Sequence, residues 1–304
     1  MKKVIGIGAC VLDTVICCDT YPAEDKKMRA ADVFSTGGGP VSNALVAIAR
    51  LGLSASFLGA LSESPEGHRL ADEFVRYGVG VEGVRFAENT RAFTSYIVLS
   101  AESGSRTCVF ERGNVPDDPE LLDLSAIKDA DILHLDGNSL KTALAAARYA
   151  HEVGTKVSLD AGGLYAGIEE LLPLVDILIP SEEFAMGITK TSTAEEAILV
   201  LAEKYHPEIL AVTCGSRGGI YLENGEVKHY ESFKINCVDS NGAGDTFHGA
   251  FLVGHLLGYS VGAACEFASA VAALKCTRTG VRVALPTMQE TCEFMKKNGR
   301  ELPC

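Results

Sequence analysis

Apolar positions along this chain fall into short runs, and their spacing shifts between a period of two and a helical period. Residues 4–8 form an apolar run ending in glycine, read as a buried strand, with Ala9, Cys10, Val11, Leu12 and Asp13 directly after it. Residues 14–35 alternate and turn without a helical period, which predicts short strands. Gly37, Gly38, Gly39 and Pro40 then open a helix over about 41–50, with Ala44, Ala47 and Ile48 at helical spacing and Gly52 as its stop. Residues 92–101 and 106–111 read as the arms of a hairpin turning at Glu102, Ser103, Gly104 and Ser105.

From residue 132 a strand–helix rhythm takes over. A strand at 132–135 precedes a helix at 140–153 that Gly154 stops. Apolar runs follow at 156–160, 175–179 and 209–213, separated by helical stretches such as 193–204. Asn224-Gly225 marks a type I′ hairpin, and beyond Asp239 the pattern is mostly helical to 297. Strands alternating with helices predict an α/β fold whose mostly parallel central sheet is covered on both faces. The two β-rich patches, about 14–35 and 92–112, break the rhythm and are expected to pair as a small separate sheet. With no linker, repeat or low-complexity segment, residues 1–304 read as a single domain carrying that small sheet.

Composition narrows the function classes. Apolar residues make up 47% of the 304, so a large core needs no disulfide or metal staple. Lys and Arg total 27 against 40 Asp and Glu, a formal charge of −13, which argues against nucleic acid or an anionic membrane as partner. The ten cysteines, at positions 10, 17, 18, 108, 214, 237, 265, 276, 292 and 304, contain no C-x-x-C and no ligand cluster with histidine. They are expected to be reduced thiols of a cytoplasmic protein. Lys2-Lys3 precede an apolar run, and Ile7-Gly8-Ala9-Cys10 superficially resembles a lipoprotein cleavage site, but the run is too short for a signal core and Asp13 interrupts its continuation. No stretch approaches the roughly 18 apolar residues of a membrane span.

The sharpest chemical feature is Asp239-Ser240-Asn241-Gly242-Ala243-Gly244-Asp245-Thr246-Phe247. Phe247, Ala250, Phe251 and Gly254 follow at helical spacing, so the Gly-Ala-Gly run feeds a helix N-terminus. Unpaired amides and the helix dipole make such a terminus a binding place for anions, and glycines let backbone approach phosphate closely. A carboxylate at Asp245 would repel that anion, so its use is to take a proton from a hydroxyl that attacks phosphorus. The plainer alternative is a capping aspartate in a tight turn. Asp13 follows the first strand in apolar company, where a carboxylate is costly unless it holds a ligand. His248, three residues after Asp245, either touches the site or is a hydrogen-bonded helix histidine. Arg278 either binds a nucleotide or braces its loop.

At these residues the chain resembles the ribokinase-like, or pfkB, carbohydrate kinases. The 239–245 string is similar to the family's C-terminal signature, and Gly38-Gly39 with Asn43 and, nine residues on, Gly52 to its N-terminal one. The likeness extends through 267–280 to Pro286. It implies a ribokinase-like α/β fold whose small sheet is a lid, and ATP-dependent phosphorylation of a small sugar or related polyol. It implies Asp245 as catalytic base, with the backbone of Gly242, Ala243 and Gly244 as anion hole. Asp13, Gly38, Gly39 and Asn43 would bind the acceptor, and Thr213, Gly215, Gly218 and Cys276 the nucleotide. Asp239 and Asn241 would hold potassium, and many relatives pair through their lids as homodimers.

One segment departs from the family pattern. Where the family carries an Asn-x-x-Glu that organises water around magnesium, Ser181 and Phe184 stand, with Glu183 adjacent as the substitute metal-associated carboxylate. A non-catalytic ribokinase-fold binding protein and a nucleoside kinase remain alternatives. A dinucleotide-binding oxidoreductase does not fit, because Val11 stands where the third glycine of that fingerprint belongs.

Overall fold

The computed structural model describes residues 2–103 and 105–300. The chain begins β1 (Lys3–Ile7), β2 (Val11–Cys18), β3 (Asp32–Gly38), α1 (Pro40–Arg50), β4 (Ser54–Ser62), α2 (Pro65–Arg76), β5 (Gly80–Ala87), β6 (Thr94–Ser100) and β7 (Arg106–Glu111). It continues β8 (Ile132–Leu135), α3 (Leu140–Val153), β9 (Lys156–Ala161), β10 (Ile177–Pro180), α4 (Glu182–Thr189), α5 (Ala194–Tyr205) and β11 (Ile209–Thr213). The last stretch is β12 (Gly219–Glu223), β13 (Glu226–Tyr230), α6 (Ala243–Leu256), α7 (Val261–Cys276) and α8 (Met288–Lys297).

Nine strands form one sheet in the order β13-β12-β11-β10-β9-β8-β1-β4-β5. It is parallel from β5 through β11, and only β12 is reversed, pairing antiparallel with both β11 and β13. Burial on both faces explains why its strands read as continuous apolar runs. Along β1, Val4 packs into the core beneath α1, α6 and α7, while Ile5 and Ile7 pack into the one beneath α3, α4 and α5. The strand order reverses at β1, which has β8 on one side and β4 on the other. The crevice at the carboxyl ends of such neighbouring strands is where open α/β sheets bind ligands. Asp136 caps β8 there, and Asp13 follows β1 by six residues.

The two β-rich patches do pair, as a four-stranded sheet in the order β3-β2-β6-β7. The expected hairpin forms from β6 and β7, although Gly104 in its turn lies outside the described residues. The segment between Ser54 and Ala87, for which no element is predicted above, supplies β4, α2 and β5. In β4 the alternation of Ser54, Ala55, Ser56 and Phe57 breaks at Leu58, where both faces become buried, so no sustained period of two is visible. Among the described residues eight cysteines are free thiols, but Cys292 is disulfide-bonded, so the expectation of reduced thiols fails there; Cys304 lies outside the described residues. No helix among the described residues is long and apolar enough to cross a membrane.

Candidate active site

Helix α6 starts with Gly242 in the left-handed region, φ 70°, where a Cβ would lie 2.4 Å from Val281 Cγ1. The first amides of a helix have no intrahelical acceptor. Ala243 turns its N–H back to Ser240 O at 3.2 Å, while Gly244 is exposed with open space where its Cβ would be. That vacancy is room for a bulky anion against the backbone.

Asp245 lies in the first turn of α6, and its carboxylate accepts a 2.7 Å hydrogen bond from Asn43 Nδ2 on α1. Asn43 Oδ1 accepts in turn from Arg282 Nε at 3.1 Å. Because the guanidinium only donates, it requires the Asn43 oxygen on its side and so turns the amide N–H toward Asp245. Arg282 is 2% exposed, lies over the Phe74 ring and pairs with Glu73 at 2.9 Å. Glu73 also accepts from the Gly37 N–H. A continuous buried network thus joins α1, α2, β3, α6 and the loop before α8.

Burial, and after it the charge of Asp160, pushes the Asp245 pKa up to about 6, against the opposing pull of Asn43 and His248. Asp160, near the end of β9, sits 3.2 Å from His248 Nε2. Burial alone would raise the Asp160 pKa, but the His248 imidazole overrides it and holds the carboxyl low. His248 therefore adopts the hydrogen-bonded helix role, behind Asp245. Arg278 pairs with Glu290 at 2.6 Å, inside the capping box of α8, which is the bracing role.

Asp13 on β2 faces Ser95 on β6, whose hydroxyl donates to its carboxylate at 2.5 Å. Burial raises its pKa, opposed by Ser95 and Arg282. Gly38 is required by this approach, because a Cβ there would lie 2.0 Å from Asp13 Oδ2. Gly39 precedes α1 at φ 101°. Gly38, Asp13, Asn43 and Asp245 are thereby linked, directly or through Arg282, around one buried polar cluster. Asp136 lies in the crevice too. Its carboxylate, held up in pKa by burial, takes the N–H groups of Ala9 and Asn138 at 2.8 and 2.9 Å.

Thr213, Gly215, Gly218 and Cys276 all line a cleft of about 480 Å³, and Ala243 and Gly244 form part of its wall. A second cavity of about 220 Å³ opens near Gly8, Ala9, Arg112 and Asn138; Asp13, Asn43 and Asp245 are not in its wall. Glu183 is exposed on the first turn of α4, whereas Glu182 pairs with Arg217 and Phe184 is buried in the core. Ser181 caps α4 by accepting from Phe184 N–H. Asp239 accepts from the N–H groups of Asn241 and Gly280, both at 2.9 Å. The Asn241 side chain accepts from Arg106 on β7.

Four partners escape the sequence reading: Arg282, Glu73, Asp136 and Asp160. Asp136 had a signal, since it ends an apolar run much as Asp13 follows one. Arg282 had none, standing between Val281 and Val283 in a loop.

Known proteins resemble this chain along nearly its whole length. The pfkB family carbohydrate kinase model matches residues 1–288. An ATP-dependent ribose-1-phosphate kinase of Halopiger xanaduensis is 28% identical over 300 residues, covering 98% of this chain and 99% of the relative. A ribokinase of Haemophilus influenzae is 27% identical over 308 residues, covering 97% and 99%. The structure of Arabidopsis thaliana ribokinase complexed with ribose and ATP superposes with a TM-score of 0.84 at 26% identity, covering 97% of this chain and 98% of that one. With the family model spanning both the glycine run before α1 and the Gly-Ala-Gly-Asp turn of α6, the chain belongs to the pfkB family of carbohydrate kinases.

Proposed function

We propose that Asp245 is the general base of an ATP-dependent sugar kinase, and that the acceptor hydroxyl lies between Asp245 and Asp13. The observation that carries this is a carboxylate beside an open helix N-terminus, its pKa raised to about 6. Such a group is ionised at neutral pH yet basic enough to accept a hydroxyl proton. The proton passes to the Asp245 carboxylate as the sugar oxygen bonds to the γ-phosphorus. The bond from that phosphorus to the β,γ-bridging oxygen breaks, and ADP leaves. Backbone amides of the 242–244 turn, Gly244 foremost, stabilise charge on the transferred group. Asp13 and Asn43 orient the acceptor, with Gly38 and Gly39 as its backbone wall.

The 480 Å³ cleft suits the nucleotide, with Thr213, Gly215, Gly218 and Cys276 around it and its Ala243–Gly244 end at the phosphates. Magnesium usually keeps several waters and binds through substrate phosphates with one or two carboxylates. The residues fit that mode in one respect: exposed Glu183, on the first turn of α4, is available to its water shell. Bound to the phosphates, magnesium neutralises their charge. The small sheet acts as the lid, excluding water from the acceptor, and the chain works in the cytoplasm as a homodimer through that lid.

An uncharged pentose or hexose is the favoured acceptor. A phosphorylated sugar is the second reading, favoured by Arg112, a cation in the wall of the 220 Å³ cavity beside Asn138. An ATP-consumption assay across free sugars, phosphosugars and nucleosides separates these readings. Asp245→Asn is expected to keep ATP binding and lower kcat by about 10² to 10⁴. Glu183→Gln should raise the magnesium needed for half-maximal rate. Turnover by the Asp245 variant within a few-fold of the parent would remove the base assignment. Absence of turnover with every acceptor would leave a binding protein.

A further inference from the structure

The family resemblance implies a monovalent cation at Asp239 and Asn241, and the atoms there do not fit one. A monovalent cation needs a ring of oxygen donors in place of its hydration shell. Asp239 already accepts the Asn241 and Gly280 N–H groups on its two carboxylate oxygens, and Asn241 Oδ1 takes Arg106. The backbone oxygen of Asp239 accepts Lys275 Nζ at 2.8 Å, and that ammonium also lies 3.8 Å from Asp239 Oδ1. Lys275, in the last turn of α7, has a fully buried side chain, and it is a charge the mechanism above does not use.

We infer that the Lys275 ammonium stands in for the monovalent cation, as a tethered positive charge that positions the 239–244 loop. An ammonium donates hydrogen bonds where a cation would collect oxygen ligands, and it supplies the same unit charge beside Asp239. Its placement under the loop is secured from a second direction, because Cys276 O accepts the N–H groups of Val238 and Asp239 at 2.8 and 3.2 Å. The C-terminus of α7 therefore anchors the loop twice, by its carbonyl and by its lysine. The loop's far end is the Gly242 turn that aims the α6 amides, so Lys275 is a positioning residue, acting on phosphoryl transfer only through the backbone. This inference rests on the anion-hole reading of 242–244.

The test compares the parent protein and Lys275→Met in potassium, sodium and a bulky organic cation. Turnover and thermal melting are both measured. The parent's kcat and melting temperature should be the same in potassium and sodium within about two-fold and one degree. Lys275→Met should lose about 10- to 100-fold in kcat, less than the roughly 10²- to 10³-fold of removing an oxyanion donor outright, with sugar KM little changed. Potassium should restore several-fold of that loss and raise the variant's melting temperature, an effect a merely structural lysine would not produce. Stimulation of the parent five-fold or more by potassium over sodium overturns the inference, as does a variant with unchanged kcat or with no response to any cation. If the variant does not fold, the parent's response to potassium decides the matter alone. If no sugar is phosphorylated by either protein, the kinase mechanism fails, while the melting comparison still decides the role of Lys275.

Discussion

The carboxyl of Asp245 is held against its own ionisation. Its pKa rises from 3.8 to about 6, first through burial and then through the negative charge of Asp160. Between those two values the folded protein binds the proton that the unfolded chain has released, so stability from this residue falls as pH rises. The penalty is absent below about pH 4 and complete above about pH 6. For a partly buried group its size is on the order of 2 kcal/mol. Asp245→Asn should therefore melt higher than the parent at pH 8, and the gap should close by about pH 4.5. A gap independent of pH would show that ionisation of Asp245 carries no cost. The same titration predicts that kcat/KM of the parent declines below about pH 6, as the base becomes protonated.

Two junctions between elements shape the pocket. At the α6 junction the whole device is local, because Gly242, Gly244 and Asp245 occupy one turn. At the β3–α1 junction it is not. Gly38 has to lack a side chain because Asp13 comes from β2, and Asp13 is held there by Ser95 from β6. Gly38→Ala should displace the Asp13 carboxylate while leaving β3 paired to β2. A lost hydrogen bond to a charged group is worth about 1.5 to 3 kcal/mol, so sugar KM should rise about 10- to 100-fold. ATP KM should stay near the parent value, and an equal rise in both would place Asp13 outside the acceptor site. The glycine run before α1 is legible from sequence, since four turn-forming residues precede a helical period. Ser95 is not legible, because the register that sets it opposite Asp13 joins strands 82 residues apart.

At the scale of the molecule the small sheet is asymmetric. Val33, Tyr96 and Val109 emerge on one face and are 55%, 51% and 66% exposed. Tyr96 and Val98 share that face, whereas Phe93 is an odd number of residues away and packs on the other face, 5.9 Å from Phe110. The edge strand β7 is exposed along its whole length. Unpaired strand edges and contiguous apolar patches are association surfaces. Sedimentation should show a dimer at micromolar concentration, and Tyr96→Lys with Val109→Lys should shift it to monomer. A parent that sediments as a monomer would sink the pairing.

Local sequence alone determined the α/β alternation, the helix starts at Pro40 and Ala243, the small sheet's two patches and the Gly-Ala-Gly-Asp turn. Each depends on neighbours within a few residues, where periodicity and backbone freedom act. Only the tertiary structure decided what surrounds the base. Asn43 reaches Asp245 across 202 residues and Arg282 reaches Asn43 across 239, while Lys275 reaches back 36 to Asp239. Nothing in the local pattern marks a buried arginine between two valines, or a lysine at the end of an apolar helix, as part of a site. Their charges become tolerable only when strands β1 and β8 bring α1, α6 and α7 together, and each then finds a partner that lies far away along the chain.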